Sequence, residues 1–575
     1  MEPVLVGKEC RRAVYCLAED KRSDLLFVKE IRHYSDGSMK PHINMIKNHP
    51  RDFYVTKEGF RNHKDHKEWE KLERLQKFTC PQHELLRRAA IATQNFGAVS
   101  NPRSLGNSPY LYNTDVATSS IVKYQYQKKY PNAKAPEATV SALDIETSVL
   151  WPSKEILMVA NVYNDTVVLP ISKKFIEGRG IPNFTEKVIE RAWELIGHLF
   201  NQLGIKHVIP SIEETPAMCV KKAISYSHQW QPDFMSIWNS HFDIPKMVDA
   251  LRSEGFDPAD VFCDPSVPRE YRYFDYIEGP KTQITASGKV KNLADYDRWH
   301  KCTFPATFFP VDSMAVYKTI RTAKGNEPDY KLEGVTQRNL GFGKLNFAEV
   351  DKLEGLSWHR EMQKNYPIEY CVYAMVDVLL LIALDRKTKD LASAFPILCD
   401  LSRFEDFKQN PLKIVDDMHF FALERGYALG SRPAEVETQL DKYVVEKDDW
   451  IVTLSAELMA PEGVNIFDLC TDGMYKHHLV DDKLSGFGSN VFLNNDDIDV
   501  EATYPRLQDL LNMSRDTTKH ELYLISSMDQ LARRRFGVNL VCGEINAIRT
   551  AQEGLLLPGP DELLNRFKAK HGITA

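Results

Sequence analysis

The stretch Val140-Ser-Ala-Leu-Asp144-Ile-Glu146-Thr147 opens an apolar region, continued by Glu155 to Tyr163 and by Thr166 to Ile171, the last two joined at Asn164-Asp165. Three successive strand-like runs with a tight Asn-Asp turn predict an antiparallel meander. Helical periodicity follows from Thr185 to Leu203, then a short strand at Phe234 to Trp238 and a helix from about Pro245 to Ser253. Strands followed by helices predict an α/β domain that starts at residue 140.

Within that pattern lie carboxylates whose placement invites chemistry. Asp144 and Glu146 are two apart on a strand, so they project from one face and could share a divalent ion. A solvent-facing D-x-E pair is the plain alternative. Asp243, in Trp238-Asn239-Ser-His-Phe242-Asp243-Ile-Pro245, is expected just before a helix whose first turn holds Pro245, where it would either cap the helix or face a metal. Tyr373 and Asp377 stand four apart in the strongly apolar run Tyr370 to Leu381, which predicts a buried helix presenting a phenol and a carboxylate on one face. An ionised Asp in such a stretch is costly to bury unless a cation or donors compensate it. Four carboxylates and a phenol fit a two-metal site for cutting phosphodiesters, one ion activating water and the other stabilising the leaving oxygen. Ligands that are all oxygen select Mg²⁺ or Mn²⁺ over zinc.

Working outward, the 575 residues are 43% hydrophobic and 27% charged, which excludes a disordered or fibrous chain and predicts several domains. The longest apolar run, Val378 to Leu384, is far shorter than the ~20 residues of a membrane helix, and Met1 to Cys16 lacks the pattern of a signal peptide, so a cytoplasmic protein is expected. Ten cysteines include no C-x-x-C pair, which predicts reduced thiols and neither a disulfide frame nor a zinc knuckle. The net charge of −7 hides an asymmetry, because residues 1–140 carry 24 Lys and Arg against 16 Asp and Glu. That basic region either touches phosphate or is a solvated helical face, for instance Lys57 to Lys77. Residues 1–139 are expected as one N-terminal α+β domain with a strand at Leu25 to Ile31 and helices at Lys64 to Phe78 and Glu84 to Thr93.

The order Asp144-x-Glu146, Asn239-x-x-Phe242-Asp243, Tyr373-x-x-x-Asp377 resembles the three exonuclease motifs of B-family DNA polymerases, especially those of large tailed phages. Pro310 to Lys318, Tyr330 to Val335 and Leu340 to Lys344 are similar to the part of that domain before its last motif, and Gly279 to Val290 looks like its hairpin. The resemblance implies a ribonuclease-H-like 3′-5′ exonuclease domain over 140–395. In it Asp144, Glu146, Asp243 and Asp377 hold two Mg²⁺ or Mn²⁺ ions and Tyr373 orients the attacking water. Asn239 and Phe242 meet the 3′ end, with Lys331 a further DNA contact.

A second resemblance lies in Asp499-Val500-Glu-Ala-Thr-Tyr504, similar to the family's first polymerase motif. It implies that Asp499 and the Val500 carbonyl bind a catalytic ion and that Tyr504 faces the incoming nucleotide. Ala502-Thr503 departs from the family's usual Ser-Leu, and the later Tyr-Gly and Asp-Thr-Asp motifs are absent. The expected organisation is therefore a helical or linker region over 396–490 and a partial palm over 491–575. The whole resembles the N-terminal subunit of a split polymerase, completed by a second polypeptide carrying the remaining palm, fingers and thumb. DNA primer-template and single-stranded 3′ ends are the implied substrates, a sliding clamp a candidate partner, and the host cytoplasm or a phage replication compartment the implied place. Two other readings stay open: a stand-alone exonuclease of repair or recombination with a vestigial polymerase segment, and a non-catalytic DNA-binding scaffold.

Overall fold

A computed structural model describes residues 3–431 apart from 65–66, 68, 96–107, 134–136, 285–288, 322–326, 348–349, 351, 410–415, 417–418 and 421. Asp499, Val500 and Tyr504, and with them the expected palm, lie outside the described residues. In chain order the strands are β1 (Leu5–Leu17), β2 (Asp24–Tyr34), β3 (Met39–Lys47), β4 (Arg51–Thr56), β5 (Trp69–Lys71), β6 (Leu75–Cys80), β7 (Leu111–Tyr112), β8 (Val140–Thr147), β9 (Ile156–Tyr163) and β10 (Thr166–Ser172). They continue as β11 (His207–Glu213), β12 (Phe234–Ile237), β13 (Asp275–Ile277), β14 (Thr282–Ile284), β15 (Val290–Asn292), β16 (Lys301–Thr303), β17 (Phe309–Asp312) and β18 (Tyr427–Leu429). The fold is mixed α/β in two units, one of residues 1–20, 25–46 and 130–396, the other of 21–24, 47–129 and the described residues from 397. The segment 1–139, expected as one domain, is thus shared between them.

The first unit is organised by a six-stranded sheet of order β11-β10-β9-β8-β12-β17. The meander is present: β8 pairs antiparallel with β9, and β9 with β10 through a turn at Asn164, whose φ of 52° an asparagine tolerates. Beyond it, β11 lies parallel to β10, and β12 lies parallel to both β8 and β17. Both faces of the sheet are covered, which is why β9 and β10 are apolar along nearly their whole length. Leu143 and Ile145 of β8 pack on one face with the Pro216–Trp230 and Ser240–Ser253 helices. Ala142 faces the opposite core, built on the Phe184–Leu203 and Pro367–Thr388 helices. By strand alternation Asp144 and Glu146 share the Ala142 face.

Among the described residues, Pro367–Thr388 is the one helix long and apolar enough to cross a membrane, yet 89% of its apolar window is buried inside the fold. It is the central core helix. The hairpin expected near Gly279 to Val290 forms as β14 paired with β15.

The helix carrying Asp243 departs from expectation. It begins at Ser240 rather than near Pro245, so Asp243 lies inside the first turn and is not its cap. The cap comes from afar: Asp312, at the end of β17, accepts the Ser240 backbone N–H at 3.2 Å and its hydroxyl at 2.7 Å. A tertiary cap of this kind leaves no local signature.

The second unit carries another correction. Lys64 to Phe78 forms no α-helix in its described part, which holds β5, a single 3-10 turn at Leu72–Arg74 and the start of β6. β6 pairs antiparallel with β4, bringing Phe78 opposite Phe53 with their rings stacked at 5.3 Å, while Lys77 stays exposed beside Asp52. Pairing with a strand some twenty-five residues earlier overrides the local helical charge pattern. β18 pairs with β5, so the described part of 396–490 contributes a strand as well as turns.

In the first unit β2 is fastened by Lys29, almost fully buried, whose ammonium lies 2.7 Å from Asp233 and donates to the carbonyls of Gln231 and Pro232. Asp233 also accepts the Thr139 N–H and hydroxyl at the entry to β8. Removing one partner leaves an uncompensated buried charge. Asp233→Ala is expected to lower unfolding free energy by about 3–5 kcal/mol, read from urea denaturation followed by tryptophan fluorescence, and a loss below 1 kcal/mol would contradict this account.

Candidate metal centre

Asp144 and Glu146 leave β8 on the face covered by the Pro367–Thr388 helix, and Asp377 points back from that helix. One carboxylate oxygen from each lies within 4.8 Å of the others, close enough for one cation to touch all three. Glu146 and Asp377 are buried, while Asp144 is partly exposed. Asp243, 3% exposed, adds its field from the helix that starts at Ser240.

The electrostatics record the crowding. Burial raises the Asp144 carboxyl well above its ordinary range, with Asp243, Asp377 and Glu146 adding repulsion in that order. Burial does the same to Asp243, with Asp312, Glu146 and Asp377 contributing. Glu146 is pushed up to about 7, by burial first and then by Asp377. Asp377 is raised by burial, against which Lys344 pulls it down. Like charges this close resist joint ionisation unless a cation intervenes.

Donors around the cluster fix its shape. Lys344 donates to Asp377 Oδ2 at 2.6 Å and to the Tyr373 hydroxyl at 2.9 Å, whereas Asp377 Oδ1 is buried with no partner among the described residues. An orphaned carboxylate oxygen within an all-oxygen cluster fits a hard divalent cation. Lys344 is itself held by Glu333, which accepts its backbone N–H. A Cβ at Gly343 would lie 2.5 Å from Glu333 Oε1, so a side chain there would push the Glu333 carboxylate aside.

Glu146 has its own support. The Tyr370 hydroxyl donates to Glu146 Oε2 and accepts from Gln363 Nε2 at 3.0 Å, with His359 Nδ1 also 3.0 Å away. Gln363 in turn donates to the Thr147 carbonyl at 2.9 Å and accepts the Val149 N–H at 2.9 Å, tying the end of β8 to the helices beneath it. Tyr373 packs its ring against Trp358 at 4.8 Å and parallel to Tyr370 at 5.9 Å.

The expected site residues therefore divide. Asp144, Glu146 and Asp377 are brought together, Asp243 interacts with them through its charge, and Tyr373 stands beside Asp377 through Lys344. Asn239 follows β12 with its Oδ1 buried and unpartnered among the described residues, and Phe242 is 40% exposed in the first helical turn. Lys331 is exposed at the start of the Leu332–Leu340 helix, and the lysine that reaches the carboxylates is Lys344. Lys344, Tyr370, Gln363 and Asp312 were not singled out from the sequence. Tyr370 had a signal, since Tyr370, Tyr373 and Asp377 follow the i, i+3, i+7 rule for one helical face.

No protein-family model matches the chain, and no curated protein is significantly similar to it.

Two outcomes follow from this geometry. Because the Tyr370 hydroxyl holds one oxygen of Glu146, Tyr370→Phe should weaken Mg²⁺ binding about 10–100-fold, as loss of an outer ligand partner does, measurable by calorimetric titration; unchanged affinity would exclude a supporting role. The second concerns pH in EDTA. Glu146 binds its proton more tightly folded than unfolded, so stability falls as pH rises from about 4.3, the unfolded value, through about 7. Glu146→Gln should therefore gain melting temperature relative to the unaltered protein across that interval, and Mg²⁺ should erase the difference.

Proposed function

We propose that this chain is the N-terminal subunit of a split B-family DNA polymerase and carries a two-metal 3′-5′ exonuclease. The observation that carries the reading is the convergence of Asp144, Glu146 and Asp377 on one point, from one strand and one core helix, with the buried charge of Asp243 acting on Asp144. The sheet supports a ribonuclease-H-like assignment. Its antiparallel meander is extended at the first strand by two parallel strands.

The reaction is hydrolysis of the terminal phosphodiester of a single strand: a bond forms between water oxygen and phosphorus, the bond to the 3′ oxygen breaks, and that oxygen takes up a proton. Bound Mg²⁺ would supply activation of the water and neutralise charge on the leaving oxygen. Asp144, Glu146, Asp243 and Asp377 would hold the ions, all through oxygen. Lys344 keeps Asp377 Oδ2 and the Tyr373 hydroxyl in one place, and Tyr373 in that position orients the water. Phe242 offers an exposed ring to a terminal base, a contact indifferent to sequence. Asp499, the Val500 carbonyl and Tyr504 would serve the synthetic site in company with a second polypeptide.

The test uses a 5′-labelled single-stranded oligodeoxynucleotide. Stepwise shortening from the 3′ end is expected with Mg²⁺ and not with EDTA, and Asp144→Ala or Asp377→Ala should slow it about a thousandfold, equivalent to about 4 kcal/mol. An intact oligonucleotide after long incubation with the unaltered protein would refute the nuclease. The chain alone should leave a primer-template unextended, and robust extension without a second polypeptide would refute the split.

A further inference from the structure

The Tyr370 hydroxyl behind Glu146 has three polar neighbours among the described residues: Glu146 Oε2, Gln363 Nε2 and His359 Nδ1. The last two each lie 3.0 Å away, on side chains four apart along the Gly355–Asn365 helix. Gln363 is fully buried, and the backbone after β8 settles which way its amide points. The Val149 N–H needs an oxygen and the Thr147 carbonyl needs an N–H, and Gln363 meets both at 2.9 Å. Its second Nε2–H is therefore donated to Tyr370.

A phenol hydroxyl has one proton and two lone pairs, and Gln363 fills the first pair. A Glu146 that ligates a cation can only accept, so it competes with His359 Nδ1 for the proton. With the imidazole proton on Nε2, a bare Nδ1 would draw the hydroxyl proton away from the carboxylate. With it on Nδ1, the ring fills the second lone pair and leaves Glu146 as the sole acceptor. The ring carries one proton, because burial and then Lys344 push its pKa down to about 4. It is also clamped, standing edge-on to Trp358, Tyr370 and Tyr373 with interplanar angles of 86°, 86° and 84°.

The consequence falls on the choice of ion. With Oε2 holding the hydroxyl proton, Glu146 has Oε1 left to offer, just as Asp377, with Lys344 on Oδ2, has Oδ1. Each carboxylate is thereby limited to one oxygen. Mg²⁺ demands an octahedron and takes carboxylates through single oxygens, whereas Ca²⁺ accepts more ligands and bidentate carboxylates. Resting on the metal centre of the exonuclease reading, we infer that His359, with its proton on Nδ1, is a positioning residue. Through Tyr370 it restricts Glu146 to ligation by one oxygen and so makes the centre discriminate Mg²⁺ from Ca²⁺.

The test is calorimetric titration of the full chain with Mg²⁺ and, separately, with Ca²⁺. In His359→Ala water replaces the ring and can take the hydroxyl proton, which frees Oε2. The ratio of Mg²⁺ to Ca²⁺ affinity should fall about tenfold, through the loss on Mg²⁺, as removal of an outer ligand partner does. His359→Asn, whose amide can present an N–H at the Nδ1 position, should keep the unaltered ratio. In a Tyr370→Phe background His359→Ala should leave the ratio unmoved, because the hydroxyl that transmits the effect is gone. Loss of packing alone would lower both affinities alike, and that result, or an unchanged ratio, overturns the inference. Imidazole nitrogen NMR spectra of the unaltered protein with Mg²⁺ give a second measure, with the His359 signals assigned by the shift that Tyr370→Phe imposes on them. A protonated Nδ1 and a bare Nε2 are expected, and the opposite tautomer overturns the inference even where the Ala variant fails to fold. Shortening assays keep the two readings apart. Mg²⁺ binding with the expected ratios but an intact oligonucleotide defeats the exonuclease and keeps the role of His359, and an active protein whose ratio ignores His359 does the reverse.

Discussion

Mutual repulsion among buried carboxylates is the constraint on which the first unit is built. Glu146, Asp243 and Asp377 are each less than a tenth exposed, and Asp144 joins them at the sheet. Packing of this kind works against folding unless positive charge and donors compensate it. The chain provides part of that compensation through Lys344 on Asp377 and Tyr370 on Glu146. What is left over, notably Asp377 Oδ1 with no partner among the described residues, leaves room for a cation that the cluster could hold. A site that is expensive to assemble empty is typical of function rather than of stability.

The helix Pro367–Thr388 meets this demand by serving two purposes. Most of its residues are core, from Cys371 through Leu384, and this burial holds it rigidly against β8 and β9. Tyr370, Tyr373 and Asp377 occupy the polar break in that surface, so the rigidity that the apolar residues confer is transmitted to the three polar groups. Gln363, on the preceding helix Gly355–Asn365, extends the same network to the backbone of β8. Glu146 is consequently located by contacts from both elements that flank it.

Much of this was legible in advance. The meander and the apolar core helix could be read from periodicity, because each pattern is local, whereas the meeting of Asp144 and Glu146 with Asp377 was expected only through the order of motifs that the chain shares by resemblance. The start of the Asp243 helix was not, because Asp312 caps it from 72 residues away in sequence. Nor was the strand β6, which continues a charged stretch that suits a helix until β4 is brought alongside. Lys344 was hidden for the same reason. It lies in a loop with no period, and only the folded approach of Glu333 to Gly343 directs it inward. What remained illegible is the set of contacts made between segments distant in the chain.

The place of the site in the sheet follows from register. β12 pairs with β8 from Phe234 opposite Val140 to Ser236 opposite Ala142, and there the pairing ends. Asp144 and Glu146 lie farther along β8, still paired with β9 on one side but, among the described residues, without a strand on the other. The chain leaving β12 turns at Asn239 into the Ser240–Ser253 helix and so brings Asp243 toward the vacated side, while β17 ends one strand over at Asp312 to anchor that helix. Functional groups thus collect at the carboxyl ends of adjacent parallel strands, where the backbone must leave the sheet and loops can converge. A longer β12 would place another strand beside Asp144 and close the space that the carboxylates share.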